Sequence, residues 1–249
     1  MISIAREDGT DYLYPGFLDK AMKKRNSKVD AVVFMEPRRG SIYYCQDYSF
    51  SLKDYPYKFV FYGAPYDKEE SYGQIGKNSA WVTFAADAEF HKPARVEKTH
   101  DIGFVGHNYY HEREVYLQEL EKLRPRSFLN LSTVAGQDIP KTLSRCKVLF
   151  NHIRVDGVNY RFFESLALGC QVVNRTSHLN EIATEGVHYL AYSSPEELFA
   201  VVERLLGDDD LRMKIAHQAR SHFLAYHTCD HRALAITNLL EEFFEDNAL

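Results

Sequence analysis

The second half of the chain alternates between short apolar segments and amphipathic segments, and this alternation constrains the fold more than any other feature. The segments 101–107, 127–134, 147–153, 170–175 and 188–193 are apolar along their whole length, as buried strands are. Apolar strands separated by helices predict an α/β fold with a parallel sheet covered on both faces. Sheets of this kind bind ligands at the carboxyl ends of their strands.

Helical spacing fills the gaps between these strands and continues after the last one. The predicted helices are 112–123, 139–146, 159–168, 181–186, 194–207, 208–226 and 230–246. The clearest of them starts with Ser194 as cap, Pro195 at the first helical position and Glu197 three residues after the cap, and it ends at Gly207. Three successive helices cannot all cover one sheet, so we expect the last to cross to another domain.

The first half of the chain is less regular. The segments 29–37, 58–63 and 81–87 have the composition of buried strands, and 15–26 has that of a helix. These few elements predict a small, reduced α/β domain in this half of the chain.

The polar, proline-containing stretch 91–100 separates two strand signals and predicts a linker. We therefore expect a small α/β domain over residues 1–96 and a Rossmann-like domain over 97–228. The helical segment 229–249 is expected to pack back toward the first domain.

Composition narrows the class of protein. A net charge of −5 over 249 residues argues against a dominant nucleic-acid or anionic-membrane role, and we interpret the basic stretch 20–28 as a solvated helix face. No apolar run approaches the ~20 residues that span a bilayer, so no membrane span is predicted. The four cysteines lie far apart and predict reduced thiols in a cytoplasmic protein, with neither a disulfide framework nor a metal site.

The stretch 154–175 carries the chemistry. Asp156 follows a strand, Gly157 allows a ligand to approach the backbone, and the next helix directs its N-terminus, which attracts phosphate, to the same edge. A carboxylate such as Glu164 suits a vicinal diol, as in a ribose. Together these groups predict a nucleotide sugar. Taken alone, the spacing favours a second interpretation, in which Arg161 and Glu164 form a surface ion pair and Asp156 is a loop residue.

Six segments occur in an order that resembles a known family. They are ADAEFHKP, DIGFVGHNYYHER, KVLFNHI, GVNYRFFESLALG, SPEELFAVVERLL and HTCDHR. This order resembles the donor-binding half of the group-1 glycosyltransferases, which have two Rossmann-like domains (the GT-B architecture), and in particular the CgeB-like, spore-maturation type. The resemblance implies a retaining, metal-independent enzyme that needs no cofactor and transfers a sugar from a nucleoside-diphosphate sugar such as a UDP-sugar.

The resemblance also implies roles for individual residues. Glu164 would hold the ribose, Asp156 would contact the transferred sugar, and His107 and Arg113 would neutralise the diphosphate. Asp156 and Arg113 are thus the predicted catalytic residues, although Arg113 has the alternative of being a surface residue of its helix. The predicted donor-binding residues are Gly106, His107, Gly157, Val158, Asn159, Tyr160, Arg161 and Glu164.

Two other functions remain open from the sequence. One is a non-catalytic protein that keeps a nucleotide-sugar crevice, and the other is a glycosyltransferase acting on a modified nucleic-acid base. The tyrosines at 43, 44, 48, 55 and 57 either stack on a sugar or base or fill a thin core. His152 either reaches the cleft or is a core histidine. The acceptor is a glycan, a protein or a modified base, and neither the sugar nor the oligomeric state is predicted.

Overall fold

A computed structural model describes part of the chain. The described residues are 2–3, 32–35, 59–62, 79–106, 111–123, 126–153 and 157–246, and side chains are described within these ranges from Val82 to residue 242, except at residue 240. The predicted helix 15–26, the basic stretch 20–28 and the tyrosine-rich stretch lie outside these residues. Backbone contacts divide the chain into unit 1, which is residues 1–84 with 229–249, and unit 2, which is residues 85–228.

The described strands form two parallel sheets. The first contains β1 (Ile2–Ser3), β2 (Val32–Met35), β3 (Phe59–Tyr62) and β4 (Ser79–Trp81), and the second contains β5 (His100–Val105), β6 (Phe128–Leu131), β7 (Cys146–Asn151), β8 (Cys170–Asn174) and β9 (Leu190–Tyr192). The first sheet belongs to unit 1 and has the order β1-β2-β3-β4, whereas the second belongs to unit 2 and has the order β6-β5-β7-β8-β9. All neighbouring strands run parallel.

Seven α-helices are described. They are α1 (His111–Glu121), α2 (Ile139–Leu143), α3 (Tyr160–Leu168), α4 (Leu179–Ile182), α5 (Pro195–Gly207), α6 (Asp209–Tyr226) and α7 (Cys229–Asp246). The five strands predicted for the second half are confirmed, as are the helices predicted there except at 181–186. Among the described helices, none is both long enough and apolar enough to cross a membrane.

Two predicted elements differ from the structure. The strand predicted at 81–87 is β4, which ends at Trp81, and the apolar side chains of Val82, Phe84 and Ala86 after it are buried outside the sheet. Burial of an extended segment that joins the sheet at none of these residues therefore produced the strand-like pattern, and Ala86 forms only an isolated bridge with Thr228. The helix predicted at 181–186 ends at Ile182, and Gly186 has a φ of 81° in the turn that follows. Gly186 serves this turn and does not end the helix.

The helix ends around α5 form as predicted. Ser194 Oγ accepts a hydrogen bond from Glu197 N at 3.2 Å, and Glu197 Oε2 accepts one from Ser193 N at 2.8 Å. The helix ends at Gly207, and Asp208 then caps α6 by accepting from Leu211 N at 2.9 Å. One residue therefore both ends α5 and begins α6.

The core of unit 2 surrounds the central strands. Phe104, Val148 and Val172 of β5, β7 and β8 are fully buried, and so are Phe162 and Phe163 of α3. These side chains belong to the apolar pattern that predicted the elements, and each large one stabilises the fold by about 1.5–3 kcal/mol relative to exposure. The core fixes the carboxyl ends of the strands, where the candidate site lies.

In unit 1, α7 is joined to the segment that follows β4. Arg232 Nε donates to the carbonyl oxygens of Thr83 at 2.9 Å and Phe84 at 3.2 Å. Burial lowers the pKa of Arg232 to about 10. These contacts explain why α7, a helix late in the sequence, belongs to the same unit as the first four strands.

Candidate functional site

The order of strands in unit 2 creates a crevice between β5 and β7. The chain runs from β5 to β6 on one side and then returns to β7 on the other side of β5. The loops that leave the carboxyl ends of β5 and β7 therefore diverge, and such a point is where open α/β sheets bind ligands. Gly106 follows β5 here, and Gly157 leads into α3.

Gly106 lies directly against Arg161. It has a φ of 152°, and a Cβ at this position would lie 1.8 Å from Arg161 Nη2 and 2.9 Å from Arg161 Cζ. Its own N–H donates to Leu131 O at 2.9 Å. Only a residue without a side chain fits between the end of β5 and the guanidinium.

Arg161 is buried, in contrast to the prediction that it shares an exposed face with Glu164. Its Nε donates to Val105 O at 2.9 Å, and its guanidinium lies 4.6 Å from the centre of the Phe104 ring. Only 6% of the residue is exposed. The backbone carbonyl and the aromatic face offset the cost of burying the charge, so the side chain turns toward β5.

Arg113 reaches the same place from α1. It is buried, so the alternative of a surface residue is wrong. Its Nε and Nη2 donate to His152 O at 3.2 and 2.8 Å, and its guanidinium lies 5.8 Å from the centre of the Phe104 ring. Two buried guanidiniums, from Arg113 and Arg161, therefore converge on Phe104 at the carboxyl end of β5. The prediction had paired Arg113 with His107 and had not given Arg161 this position.

The N-terminus of α3 is fixed by an asparagine pair. Asn159 Oδ1 accepts from Phe162 N at 2.9 Å and so caps the helix. The side-chain amides of Asn159 and Asn151 also donate to each other at 3.1 Å in both directions. Asn151 is the last residue of β7, so this pair holds the N–H groups of the first helical turn at the edge of the crevice.

The other predicted residues near this helix start are Gly157, Val158 and Tyr160. Gly157 O accepts from Thr176 Oγ1 at 2.7 Å, which ties the entry to α3 to the segment after β8. Val158 is buried, and Tyr160 is the first residue of the helix. The hydrogen bond between Thr176 and Gly157 positions the helix start.

Glu164 lies one turn further along α3 and is partly exposed. Its Oε1 is 3.5 Å from His91 Nε2, and His91 Nδ1 is 3.0 Å from Asp87 O. His91 was not among the predicted site residues, although it lies in the segment ADAEFHKP of the family resemblance. The predicted residues His107 and Asp156 lie outside the described residues, so their roles stay predictions.

A second concave feature lies at the same edge of the sheet, on the side of β8 and β9. It is a cavity of about 640 Å³, within the range of ligand pockets. The residues that line it are His111, Glu112, Val115, Tyr116, His152, Ile153, Asn174, Arg175, Thr176, Tyr192 and Ser193. His152 connects the cavity to the crevice, because the carbonyl oxygen of His152 accepts a hydrogen bond from Arg113.

His152 has a strongly perturbed imidazole. Its Nδ1 is 3.0 Å from Tyr192 Oη, and its ring lies 4.7 Å from that of Tyr116. Burial, with a smaller contribution from the charge of Arg113, lowers the pKa of His152 to about 4. The imidazole is therefore neutral at physiological pH. In the described part of the chain, no group of three or more His, Cys, Asp or Glu side chains is placed to hold a metal ion.

The comparison with protein families decides the class. The profile described as Glycosyl transferase-like matches residues 87–238, more than half of the chain. The chain belongs to the glycosyl transferase-like family. It is thus an enzyme of the glycosyltransferase class, and the matched region contains the crevice and the cavity. No curated protein sequence matches the chain.

Solved structures of glycosyltransferases share this fold. Anabaena HepE, in a complex with UDP-glucose, superposes with a TM-score of 0.62 at 13% identity over 90% of this chain and 76% of that one. Sucrose-phosphate synthase from Thermosynechococcus elongatus gives 0.60 at 10% identity over 90% and 70% of the two chains. A glycosyltransferase from Rickettsia africae gives 0.60 at 12% identity over 90% and 79%. These likenesses show an α/β fold with parallel sheets like those of GT-B glycosyltransferases.

Proposed function

We propose that this family member is a retaining, metal-independent glycosyltransferase that transfers a sugar from a nucleoside-diphosphate sugar to an acceptor. The observation that carries the proposal is the convergence of Arg113 and Arg161 on the carboxyl end of β5, beside the N-terminus of α3. Two guanidiniums and a helix N-terminus form an anion site suited to a diphosphate. HepE, which binds UDP-glucose, supports a UDP-sugar as the donor to test first.

In this proposal each part of the crevice holds one part of the donor. The diphosphate lies against the first turn of α3, where Asn159 keeps the helix N–H groups in place. The bare backbone at Gly106 lets the guanidinium of Arg161 lie against the end of β5, beside the diphosphate. The carboxylate of Glu164 accepts hydrogen bonds from the two ribose hydroxyls. Asp156 contacts the transferred sugar, as the family resemblance implies.

The reaction then depends on stabilising the leaving group. The bond between the anomeric carbon and the diphosphate oxygen breaks, and the diphosphate departs with the electron pair. An acceptor hydroxyl gives its proton to the departing diphosphate oxygen, and its oxygen bonds to the same carbon on the face that the diphosphate left. Arg113, Arg161 and the α3 amides face the negative charge that develops, and preorganised groups of this kind are worth about 3–4 kcal/mol each in other enzymes.

Several broader features belong to the same proposal. They are the CgeB-like subfamily, the GT-B architecture with two Rossmann-like domains, and the domain limits 1–96, 97–228 and 229–249. The proposal also includes that the enzyme is active in the cytoplasm and that it needs no cofactor. The acceptor is a glycan, a protein or a modified base, and transfer assays with one representative of each separate these cases.

The test is a donor screen followed by a transfer assay. Thermal shifts with UDP, GDP and their sugars identify the donor, because a ligand that binds the folded chain raises its melting temperature. Release of the nucleoside diphosphate is then measured with and without EDTA, and NMR of the anomeric proton gives the configuration of the product. We expect release that EDTA does not reduce and a retained configuration. If the screened nucleotides neither bind nor lose their glycosyl groups, the proposal is wrong.

A further inference from the structure

The cavity beside the crevice is lined by residues that are not part of the proposed diphosphate site. Its lining residues follow three neighbouring strands, with His152 after β7, Asn174 at the end of β8 and Tyr192 at the end of β9. Strands lie about 4.8 Å apart, so the cavity extends away from the β5–β7 crevice along the edge of the sheet. Its volume of about 640 Å³ exceeds what packing defects leave.

The hydrogen bonds around His152 fix its tautomer. Tyr192 has one hydroxyl hydrogen, and the carbonyl oxygen of Asn151, 3.0 Å away, can only accept it. The 3.0 Å contact between Tyr192 Oη and His152 Nδ1 is therefore a bond that Nδ1–H donates. Nε2 then carries a lone pair. In the part of the chain that the structure describes, no partner accounts for this lone pair.

The walls of the cavity suit an uncharged, hydroxylated ring. Tyr116 supplies an aromatic ring, 4.7 Å from His152 and 5.3 Å from Tyr192 between ring centres. Aromatic faces pack against the C–H groups of a ring, while a few placed polar groups orient it. Exposed Glu112 adds a carboxylate at the rim that can accept from hydroxyl groups.

The arginine at the rim does not make the cavity an anion site. Arg175 Nη1 donates to Glu197 Oε1 at 2.7 Å and to Ser193 Oγ at 2.9 Å, and Nη2 donates to Glu185 Oε1 at 2.8 Å. These carboxylates raise the pKa of Arg175 and offset its charge. The cluster of Arg175, Glu185 and Glu197 carries a net negative charge, which disfavours phosphate and leaves a neutral ligand as the better fit.

We propose that the cavity binds a saccharide ring, one of whose hydroxyl groups donates a hydrogen bond to Nε2 of His152. The proposal rests on the proposed function and adds a subsite to it. The ring is either the glycosyl group of the donor or part of a saccharide acceptor, since both present the same hydroxyl chemistry. The low pKa of His152 supports the proposal, because a protonated imidazole has no lone pair to offer.

Two variants test the cavity. His152→Phe keeps an aromatic ring and removes Nε2, whereas Val115→Trp leaves His152 in place and fills the cavity from an exposed rim position. Met213→Trp, at an exposed position on α6 outside the cavity lining, is the control for an added tryptophan. Circular dichroism melting shows whether His152→Phe folds, and Val115→Trp keeps the test decisive where it does not.

Each chain is titrated with UDP, with UDP-glucose and with free saccharides (methyl α-glucoside, N-acetylglucosamine and maltose), and the ¹⁵N shift of His152 Nε2 is followed in the unaltered chain. If the ring comes from the donor, both variants weaken UDP-glucose about tenfold and leave UDP unchanged. If it comes from the acceptor, both variants lose saccharide binding and keep both nucleotide affinities. In either case the ligand moves the Nε2 signal.

The proposal is overturned if no ligand moves the Nε2 signal, or if the variants bind every ligand as the unaltered chain does. These outcomes differ from a failure of the proposed function. A chain that binds no nucleotide contradicts the donor assignment, whereas the saccharide titration still decides whether the cavity binds a ring.

Discussion

Gly106 and Arg161 fit together so closely that a side chain on the first would displace the guanidinium of the second. A Cβ on Gly106 would lie 1.8 Å from Nη2 of Arg161, a separation that real Cβ atoms do not show. The absence of a Cβ atom at Gly106, at the end of β5, thus determines where the guanidinium of Arg161 from α3 lies. This relationship gives the most direct test of the crevice.

Gly106→Ala should destabilise the chain and displace the guanidinium of Arg161. Because the backbone φ of 152° is also unfavourable for alanine, we expect a loss of about 1–3 kcal/mol in the free energy of unfolding. Urea denaturation measures this loss, and a UDP titration measures the accompanying loss of binding. Gly136→Ala is the matched control, since its added Cβ would meet nothing within 4 Å. Equal effects of the two substitutions would contradict the role of Gly106.

Arg113→Lys keeps the positive charge and removes the guanidinium that donates from two nitrogens to His152 O. We expect a loss of about 1.5–3 kcal/mol in stability, because a buried hydrogen bond from a charged group is lost. Donor affinity should fall as well. Arg126→Lys is the control, since Arg126 pairs with Glu203 on the surface and such pairs contribute about 0–1 kcal/mol. Chemical denaturation of both variants gives the comparison.

Asn159→Ala removes the cap of α3 and the partner of Asn151. Ser194→Ala removes the cap of α5, whose N-terminus does not border the crevice. Each substitution should cost about 1–2 kcal/mol of stability. Only Asn159→Ala should also weaken UDP binding, because α3 is the helix proposed to hold the diphosphate. Similar UDP affinities in the two variants would place the diphosphate elsewhere.

Glu164→Ala should weaken nucleotide binding while the fold is kept. Losing a hydrogen-bonded carboxylate costs on the order of 1.5–3 kcal/mol, which is about tenfold or more in affinity. Calorimetric titration with UDP and GDP measures this change. Glu119→Ala is the control, because Glu119 is a carboxylate on the surface of α1 that pairs with Lys122. An unchanged titration in Glu164→Ala would remove the ribose assignment.

Acid should destabilise the chain through His152. Its pKa is about 4 when folded and 6.5 ordinarily, so as the pH falls the unfolded chain takes up this proton first. The stability present above pH 6.5 is therefore lost between pH 6.5 and 4, by about 3 kcal/mol in total. His152→Phe should flatten this part of the pH profile of unfolding. His217→Gln, at an exposed position on α6, is the control for removing an imidazole.

The sheet and most helices of unit 2 were predictable because their signals are local. Whole-length apolar strands, the cap at Ser194 and the buried stripe with Phe162 and Phe163 all follow from residues close together in the sequence. The segment after β4 misled the prediction for the same reason. Val82 and Phe84 are buried as strand residues are, although they pair with no strand.

The arrangement of the crevice was only partly predictable, because it depends on contacts between distant segments. Arg161 was identified as a binding residue, but its turn toward β5 requires the missing side chain of Gly106 and the ring of Phe104. The contact of Glu164 with His91 likewise joins two segments that lie far apart in the sequence. The tautomer of His152 depends on the hydroxyl group of Tyr192, which lies on another strand.

The two units also differ in the order in which the ribosome synthesises their segments. Unit 2 is one continuous segment, residues 85–228, whereas unit 1 joins residues 1–84 to 229–249 through contacts such as that of Arg232 with Thr83. At about 5–20 residues per second, the early strands of unit 1 wait several seconds for their last helix. Unit 2 is therefore synthesised in full before the last helix of unit 1, an order of completion that limited proteolysis of nascent chains would reveal.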